Sequence, residues 1–176
     1  EMEFFENAVL IDGLCNHMKP AINRMKQGVF TENQYIDFLE EKYSKVYVAT
    51  IKACEFLKEE LHIKNSEMVI GFCGRLVEQK NINFLLDIFQ VMQKKRDNIK
   101  LLIVGDGVLR KNFEKKIEEY NLKKKVILVG AVNNVEDYMQ AMDCFILPSL
   151  FEGFGIVLLE AQAAGLKCFA SKYVVP

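Results

Sequence analysis

The sequence predicts an α/β protein built on a doubly wound parallel sheet, with an N-terminal helical segment. From Met68 onward, short and almost entirely apolar runs alternate with longer amphipathic runs. Apolar strands of this kind are typical of a parallel sheet whose two faces are covered by helices. The 176 residues are 51% hydrophobic and 27% charged, which suits a chain that buries a substantial core and excludes a disordered one.

The predicted strands and helices alternate along the chain. The strands are predicted at Val69–Cys73, Lys100–Val104, Lys125–Val129, Asp143–Leu147 and Cys168–Ala170. The helices between them are predicted at Asn81–Lys95, Leu109–Tyr120, Val135–Met142 and Ile156–Ala164. Because crossovers between parallel strands are right-handed, every loop that follows a strand should lie at one edge of the sheet, where ligands bind in such folds.

Residues 1–66 carry a different pattern. Apolar side chains recur every three or four positions over Gln34–Leu61, which predicts one long amphipathic helix. Its polar face mixes acidic and basic residues, which favours packing on protein over lying on an anionic membrane. We therefore predict a mainly helical segment over 1–66 and a separate sheet domain over 67–176.

Charge and residue content exclude several classes of protein. A formal net charge of -1 and a pI near 6.2 lack the basic excess of a nucleic-acid-binding protein. The five cysteines are far apart and the two histidines have no partner at metal-ligand spacing, so we expect reduced thiols and no metal site. No apolar run approaches the roughly 20 residues of a transmembrane helix, so we expect no transmembrane segment.

The loop between the fourth predicted strand and the last helix carries the clearest chemical signal. Gly153 and Gly155 leave backbone amides uncovered where a helix begins, and such amides favour an anion such as phosphate. Glu152 and Glu160 bracket this segment, and a carboxylate can accept two hydrogen bonds from the vicinal hydroxyl groups of a sugar. The combination suits a nucleotide-sugar; two solvated acidic residues are the alternative.

Two cations follow the first predicted strand at the same edge. Arg75 comes directly after Gly74, and Lys80 lies beside the start of the next helix, where a cation opposes the helix dipole unless an anion is present. A guanidinium and an ammonium together suit a diphosphate. Two solvated loop cations are the alternative interpretation.

Three more glycines follow the second and third predicted strands. Gly105 and Gly107 predict a tight turn that either lets a ligand approach the backbone or is purely structural. Gly130 is open to the same two interpretations, and the backbone beside it could contact a base. The turn lacks the third glycine of a dinucleotide-binding fingerprint, so it does not by itself predict a dinucleotide cofactor.

Together these motifs resemble the nucleotide-sugar-binding half of a GT-B glycosyltransferase, and more narrowly a family 4 retaining enzyme. The resemblance covers about Met68–Ser171 and rests on Gly74-Arg75-Leu76 with Lys80, on Gly105-Asp106-Gly107, and on the segment from Pro148 to Gly165. It implies a Rossmann-like nucleotide-sugar-binding domain over 67–176. It also implies transfer of a hexose from a UDP-type or GDP-type sugar to a saccharide or lipid-linked acceptor, without a cofactor or metal.

The resemblance further implies a role for each candidate residue. Arg75 and Lys80 would stabilise the departing diphosphate and Glu152 would lie near the donor sugar, which makes these three the expected catalytic residues. Glu160 would bind the ribose hydroxyl groups. The residues expected to present backbone groups to the donor are Gly74, Gly105, Gly107, Gly130, Gly153, Phe154 and Gly155.

Two alternatives to an active transferase stay open. Residues 1–66 show no resemblance to the acceptor-binding domain of such enzymes, so one alternative is a noncatalytic nucleotide-sugar-binding or assembly module that needs a separate acceptor-domain chain. The other is a GT-B-like sugar-nucleotide epimerase. The expected location is cytoplasmic, with peripheral attachment to the cytoplasmic face of the membrane as one form of it.

Overall fold

The computed structural model describes residues 52–172 and Val174. Its described part forms one compact unit from Ala53 onward. Residues 52–60 are helical, and the rest of the helix predicted over Gln34–Leu61 lies almost wholly outside the described residues. The prediction of a mainly helical segment over 1–66 therefore stays a prediction.

The strands and helices follow the predicted order. The strands are β1 (Met68–Cys73), β2 (Ile99–Val104), β3 (Val126–Gly130), β4 (Cys144–Leu147) and β5 (Lys167–Ala170). The helices are α1 (Ile82–Lys95), α2 (Arg110–Glu119), α3 (Val135–Gln140) and α4 (Ile156–Ala163), and a 3-10 helix at Glu78–Lys80 precedes α1. The observed boundaries differ from the predicted ones by at most two residues.

The strand order β3-β2-β1-β4-β5 and the parallel pairing of all neighbours confirm the doubly wound sheet. β1 pairs with β2 on one side and with β4 on the other. The chain builds the sheet outward from β1 to β3, then crosses back to add β4 and β5. The boundary between β1 and β4, where the direction reverses, is the switch point at which open parallel sheets bind ligands.

Strands β1 and β2 form the centre of the hydrophobic core. Every residue of β1 after Met68 is buried, and β2 has a single half-buried residue, Lys100. Helix α1 buries Leu85, Leu86 and Phe89 in the same core. Burial on both faces explains why these strand sequences are almost entirely apolar, since each buried Å² of apolar surface contributes roughly 25 cal/mol.

Asp143 fixes the start of β4 against β1. Its carboxylate accepts a hydrogen bond from the N–H of Val69 at 2.6 Å, and its own N–H donates to the Val69 carbonyl at 2.9 Å. The resulting register aligns Ile70 with Cys144. The loops that follow β1 and β4 therefore emerge side by side.

The backbone of the turn after β2 is in direct contact with the backbone of the loop after β1. A Cβ atom on Gly105 would lie 2.0 Å from the carbonyl oxygen of Gly74, and one on Gly107 would lie 2.5 Å from that of Leu76. Leu76 also donates its N–H to the carbonyl of Asp106 at 2.9 Å. The structural interpretation of this turn, in which the two loops pack closely, is sufficient to explain why glycine stands at both positions.

Replacing Gly105 by alanine should lower the free energy of unfolding by about 3 kcal/mol, because the new Cβ would overlap a backbone oxygen that cannot move aside. The φ of 134° adds strain for any residue with a side chain. Urea unfolding followed by circular dichroism measures the change. Gly153→Ala is the matched control: no atom lies within 4 Å of its Cβ position, so its effect should be below about 0.5 kcal/mol. Equal effects of the two substitutions would contradict this account.

Candidate functional site

Two loops meet at the switch point, one after β1 and one after β4. The N–H of Leu150 donates to the carbonyl of Gln79 at 2.8 Å. The side-chain amide of Gln79 donates to the carbonyl of Phe151 at 3.0 Å. The two loops therefore form one continuous surface at the carboxyl ends of β1 and β4.

A largely buried ion pair lies where these loops meet. Lys80 Nζ is 2.5 Å from Glu152 Oε1, and the two side chains are only 12% and 7% exposed. The hydroxyl of Ser149, a fully buried residue, donates to the same carboxylate oxygen at 2.6 Å. A charge at this depth needs such partners, because removing an isolated ion from water costs several kcal/mol.

The surroundings of Glu152 keep it ionised. Burial raises the pKa of its carboxyl group, but the hydrogen bonds from Lys80 and Ser149 and the charges of Lys80 and Arg75 together lower it below the ordinary value. Arg75 is exposed and acts on the carboxylate through its charge. Both cations predicted after β1 therefore face the glutamate that follows β4.

Local backbone geometry directs Lys80 towards Glu152. Lys80 ends the 3-10 helix rather than beginning α1, and Asn81 after it is left-handed with a φ of 51°. A Cβ atom on Gly74 would lie 3.7 Å from Lys80 Cε, so the aliphatic part of the lysine runs beside this glycine. The anion expected beside Lys80 is, within the protein, the carboxylate of Glu152.

The amino end of α4 is open to solvent. Gly155 precedes the helix with a left-handed φ of 65°, and no side chain caps this end. Phe154 is 76% exposed, and nothing lies within 4 Å of a Cβ atom placed on Gly153. Because the first amides of a helix have no partner within the helix, this end suits an anion.

Glu160 lies on the exposed side of α4. It lines a crevice of about 350 Å³ between α3 and α4, together with Val135, Glu136 and Ala163. Burial, and to a smaller extent the charge of Glu160, raises the pKa of Cys73 to about 12. Glu160 is therefore near enough to the end of β1 to act on it electrostatically.

Gly130 lies next to the guanidinium of Arg110, a residue that was not among the predicted site residues. Arg110 Nη1 would be 3.2 Å from a Cβ atom on Gly130. The arginine is held by Asp106 at 3.1 Å and by Glu114 at 2.8 Å. Its spacing of four residues from each acid is that of an ordinary helical ion pair, so the sequence carried no signal for its contact with the loop after β3.

The predicted site residues fall into groups along one edge of the sheet. The first group lies at the switch point and comprises Gly74, Arg75, Lys80 and Glu152. The second continues along the loop and helix after β4 and comprises Gly153, Phe154, Gly155 and Glu160. The third lies at the ends of β2 and β3 and comprises Gly105, Gly107 and Gly130, of which Gly105 donates its N–H to the Gly130 carbonyl at 2.7 Å. The roles assigned to these residues stay predictions.

Two residues of the switch point were missed at the sequence level, Ser149 and Gln79. Ser149 lies three residues before Glu152, a spacing that permits a side-chain hydrogen bond within a turn. The contacts of Gln79 with the loop after β4 span about 72 residues of sequence, so no local pattern could reveal them.

Within 52–172 and 174, no group of three or more His, Cys, Asp or Glu side chains is placed to hold a metal ion. None of the helices in that part of the chain combines the length and apolar character needed to cross a bilayer.

Comparison with protein families decides the membership of this chain. The family model described as glycosyl transferases group 1 matches residues 54–176, more than half of the sequence. The chain belongs to the group 1 glycosyl transferases. A second model, described as PRD domain, matches residues 1–73 of this glycosyl transferase, which is less than half of it and lies mostly outside the described residues.

Curated relatives of this group 1 glycosyl transferase are much longer than the chain. It is 35% identical over 109 residues to a putative glycosyltransferase, EpsF, of Bacillus subtilis, covering 62% of the chain and 28% of the relative. It is 36% identical over 120 residues to the UDP-Gal:alpha-D-GlcNAc-diphosphoundecaprenol alpha-1,3-galactosyltransferase of Escherichia coli, covering 65% and 31%. The chain thus spans less than a third of either relative.

A solved structure shows the same fold. The crystal structure of WaaG, a glycosyltransferase involved in lipopolysaccharide biosynthesis, superposes with a TM-score of 0.62 and 27% sequence identity. The similarity covers 69% of this group 1 glycosyl transferase and 33% of WaaG. It confirms the predicted fold class, a Rossmann-like sheet of the GT-B type.

Replacing Lys80 by methionine should raise the pKa of Glu152, because the burial that raises it stays while the hydrogen bond and charge of Lys80 are lost. NMR titration of the glutamate carboxyl carbons measures the change. Since the folded-state pKa in the wild type is lowered, the pair stabilises the fold above the unfolded pKa of about 4.3, and this stability is lost as the pH falls through the folded pKa. In Lys80→Met, this contribution to the loss of stability at low pH should be absent.

Lys115→Met is the matched control for this prediction. Lys115 forms an exposed ion pair with Glu119 at 3.8 Å on α2, so its removal should leave Glu152 unchanged. An unaltered Glu152 pKa in Lys80→Met would show that the ion pair does not govern this carboxylate.

Proposed function

We propose that this chain is the donor-binding half of a family 4 retaining glycosyltransferase. It would transfer a hexose from a nucleoside diphosphate sugar to a saccharide or lipid-linked acceptor in polysaccharide or glycoconjugate biosynthesis. The observation that carries the proposal is the ion pair of Lys80 with Glu152 beside the charge of Arg75, with the open amino end of α4 following Glu152 in the chain.

The diphosphate of the donor fits between the two cations and the amino end of α4. An ammonium has three N–H donors, so Lys80 can donate to Glu152 and to a phosphate oxygen at the same time. Arg75 adds a planar pair of donors, and its exposure leaves it accessible to a ligand. The backbone amides that begin α4 supply further donors without a side chain in the way.

The nucleoside fits the crevice between α3 and α4. Val135, Ala163 and Ala164 provide apolar surface, and the carboxylate of Glu160 can accept hydrogen bonds from both ribose hydroxyl groups. Glu160 follows Gly155 by five positions, which corresponds to about 7.5 Å along a helix. This separation suits a ribose joined to a diphosphate that is held at the helix start.

The chemical role of the cations is to stabilise the leaving group. As the bond between the sugar C1 and the phosphate oxygen breaks, negative charge develops on the diphosphate, which Arg75 and Lys80 are placed to neutralise. The acceptor oxygen forms the new bond to C1 on the face from which the diphosphate leaves, its proton passes to the departing diphosphate oxygen, and the configuration is retained. Glu152 lies within reach of a sugar bound at this point, and no metal or cofactor takes part in the proposed step.

A UDP-type sugar and a lipid-linked acceptor are the favoured substrates. The E. coli relative is named for UDP-galactose as donor and for a diphosphoundecaprenol-linked acceptor. This chain spans less than a third of that relative. Activity on a lipid-linked acceptor would place the protein at the cytoplasmic face of the membrane.

The second candidate function is a noncatalytic nucleotide-sugar-binding or assembly module. It is favoured by the single sheet domain in the described part of the chain, which contains one of the two halves that a GT-B transferase uses. Such a module would bind the donor in the same place but would turn it over only with a separate acceptor-domain chain.

The wild-type chain should bind UDP, and the affinity should fall at least about tenfold in Arg75→Gln and in Lys80→Gln, since each removes a charge from the diphosphate site. Isothermal titration calorimetry measures the dissociation constants, and a parallel titration with GDP tests the base. Lys95→Gln, at the opposite end of α1, should bind UDP like the wild type. Failure of UDP and GDP to bind the wild type would refute the proposed donor site.

Transfer from a radiolabelled UDP-sugar to an undecaprenol-diphosphate-linked saccharide separates the two candidate functions. Product formed by the 176-residue chain alone supports the transferase. Product formed only after a separate acceptor-binding domain is added supports the module. Arg75→Gln should reduce either activity.

A further inference from the structure

Ser149 is a buried polar residue beside the ion pair of Lys80 and Glu152. Among residues 52–172 and 174, it is the one polar or charged residue that is fully buried. Its hydroxyl donates to Glu152 Oε1 at 2.6 Å, and the same oxygen accepts the hydrogen bond from Lys80. Two donors from different loops therefore converge on one carboxylate oxygen.

These contacts determine where the ammonium of Lys80 lies. A lysine has a flexible four-carbon chain that samples many rotamers when it is free. Here Gly74 borders the aliphatic part of the chain, and Glu152 holds its end. Fixing a side chain before a ligand arrives removes an ordering cost from binding. The position of Lys80 thus depends on Glu152, and the position of Glu152 depends on Ser149.

The charge of Glu152 by itself opposes the binding of a diphosphate. A carboxylate next to an anion site reduces the attraction that Lys80 and Arg75 exert on phosphate. Holding Lys80 in place is one contribution that can outweigh this repulsion. Ser149 contributes to that holding without contributing any charge.

We propose that Ser149 is a positioning residue, whose hydroxyl holds the Glu152 carboxylate so that Glu152 holds the Lys80 ammonium against the diphosphate of the donor. The proposal rests on the donor site described under the proposed function. It adds a residue that does not touch the donor, and it assigns to Glu152 the orientation of a cation in addition to any contact with sugar.

Ser149→Ala is a discriminating variant because it changes no charge in the site. If electrostatics alone sets the affinity for UDP, the variant should bind UDP like the wild type. If Lys80 must be held in place, the dissociation constant should rise about fivefold to tenfold, as expected for the loss of one ordinary hydrogen bond. Calorimetry at low ionic strength keeps weak binding measurable.

A double-mutant cycle tests whether Ser149 acts through Lys80. In a Lys80→Gln background, Ser149→Ala should cause little further loss of UDP affinity, because the ammonium that it positions is gone. A merely structural contribution of Ser149 would weaken binding by the same factor in both backgrounds. Ser66→Ala, the same chemical change at an exposed position, should leave the affinity unchanged.

An NMR titration of the ligand-free chain separates this proposal from the donor site itself. Ser149→Ala should raise the pKa of Glu152, since one of the hydrogen bonds that lower it is lost. If that pKa rises while the wild type binds neither UDP nor UDP-glucose, the donor site is wrong and the contact between Ser149 and Glu152 stands. If the wild type binds UDP and Ser149→Ala binds it equally well, or the loss is the same without Lys80, the positioning role is wrong.

Discussion

The parallel pairing of β1 with both β2 and β4 is the constraint on which the site depends. The connection after β1 leads to β2 on one side, and the connection after β4 leads to β5 on the other side, so the two loops run in opposite directions from a gap between them. No backbone ladder can cover that gap. Asp143 locks the register of β4 on Val69, so the two loops open at the same height.

The gap is closed by the backbone hydrogen bond from Leu150 to Gln79 and by side chains. Gln79 joins the two loops by neutral hydrogen bonds, and Lys80 joins them by a largely buried ion pair. The pair is tolerated because the Glu152 carboxylate receives two donors and stays ionised, while a lone charge at this depth would be expensive. The consequence for function is a cation that is already in place, beside an exposed arginine and the open start of a helix.

Most of the fold could be predicted because its signals are local. Strand β2 is apolar over nearly its whole length, and α1 places Leu85 and Phe89 four positions apart, so each segment shows its own period. The order of such segments favours parallel pairing, and right-handed crossovers then place all the loops at one edge. The ends of the elements were less predictable: Lys80 belongs to a 3-10 turn because Asn81 adopts a left-handed conformation that the sequence pattern does not reveal.

By itself the sequence determined which residue types stand after each strand, and hence that cations, glycines and glutamates share one edge of a parallel sheet. Tertiary structure alone decided their partners. Lys80 and Glu152 are 72 residues apart, and whether they contact each other depends on the register of β4 against β1 and on the rotamers that the two loops allow. Periodicity carries information about faces and edges, whereas a contact between side chains depends on distances of a few ångströms between distant segments, which only the packed sheet sets.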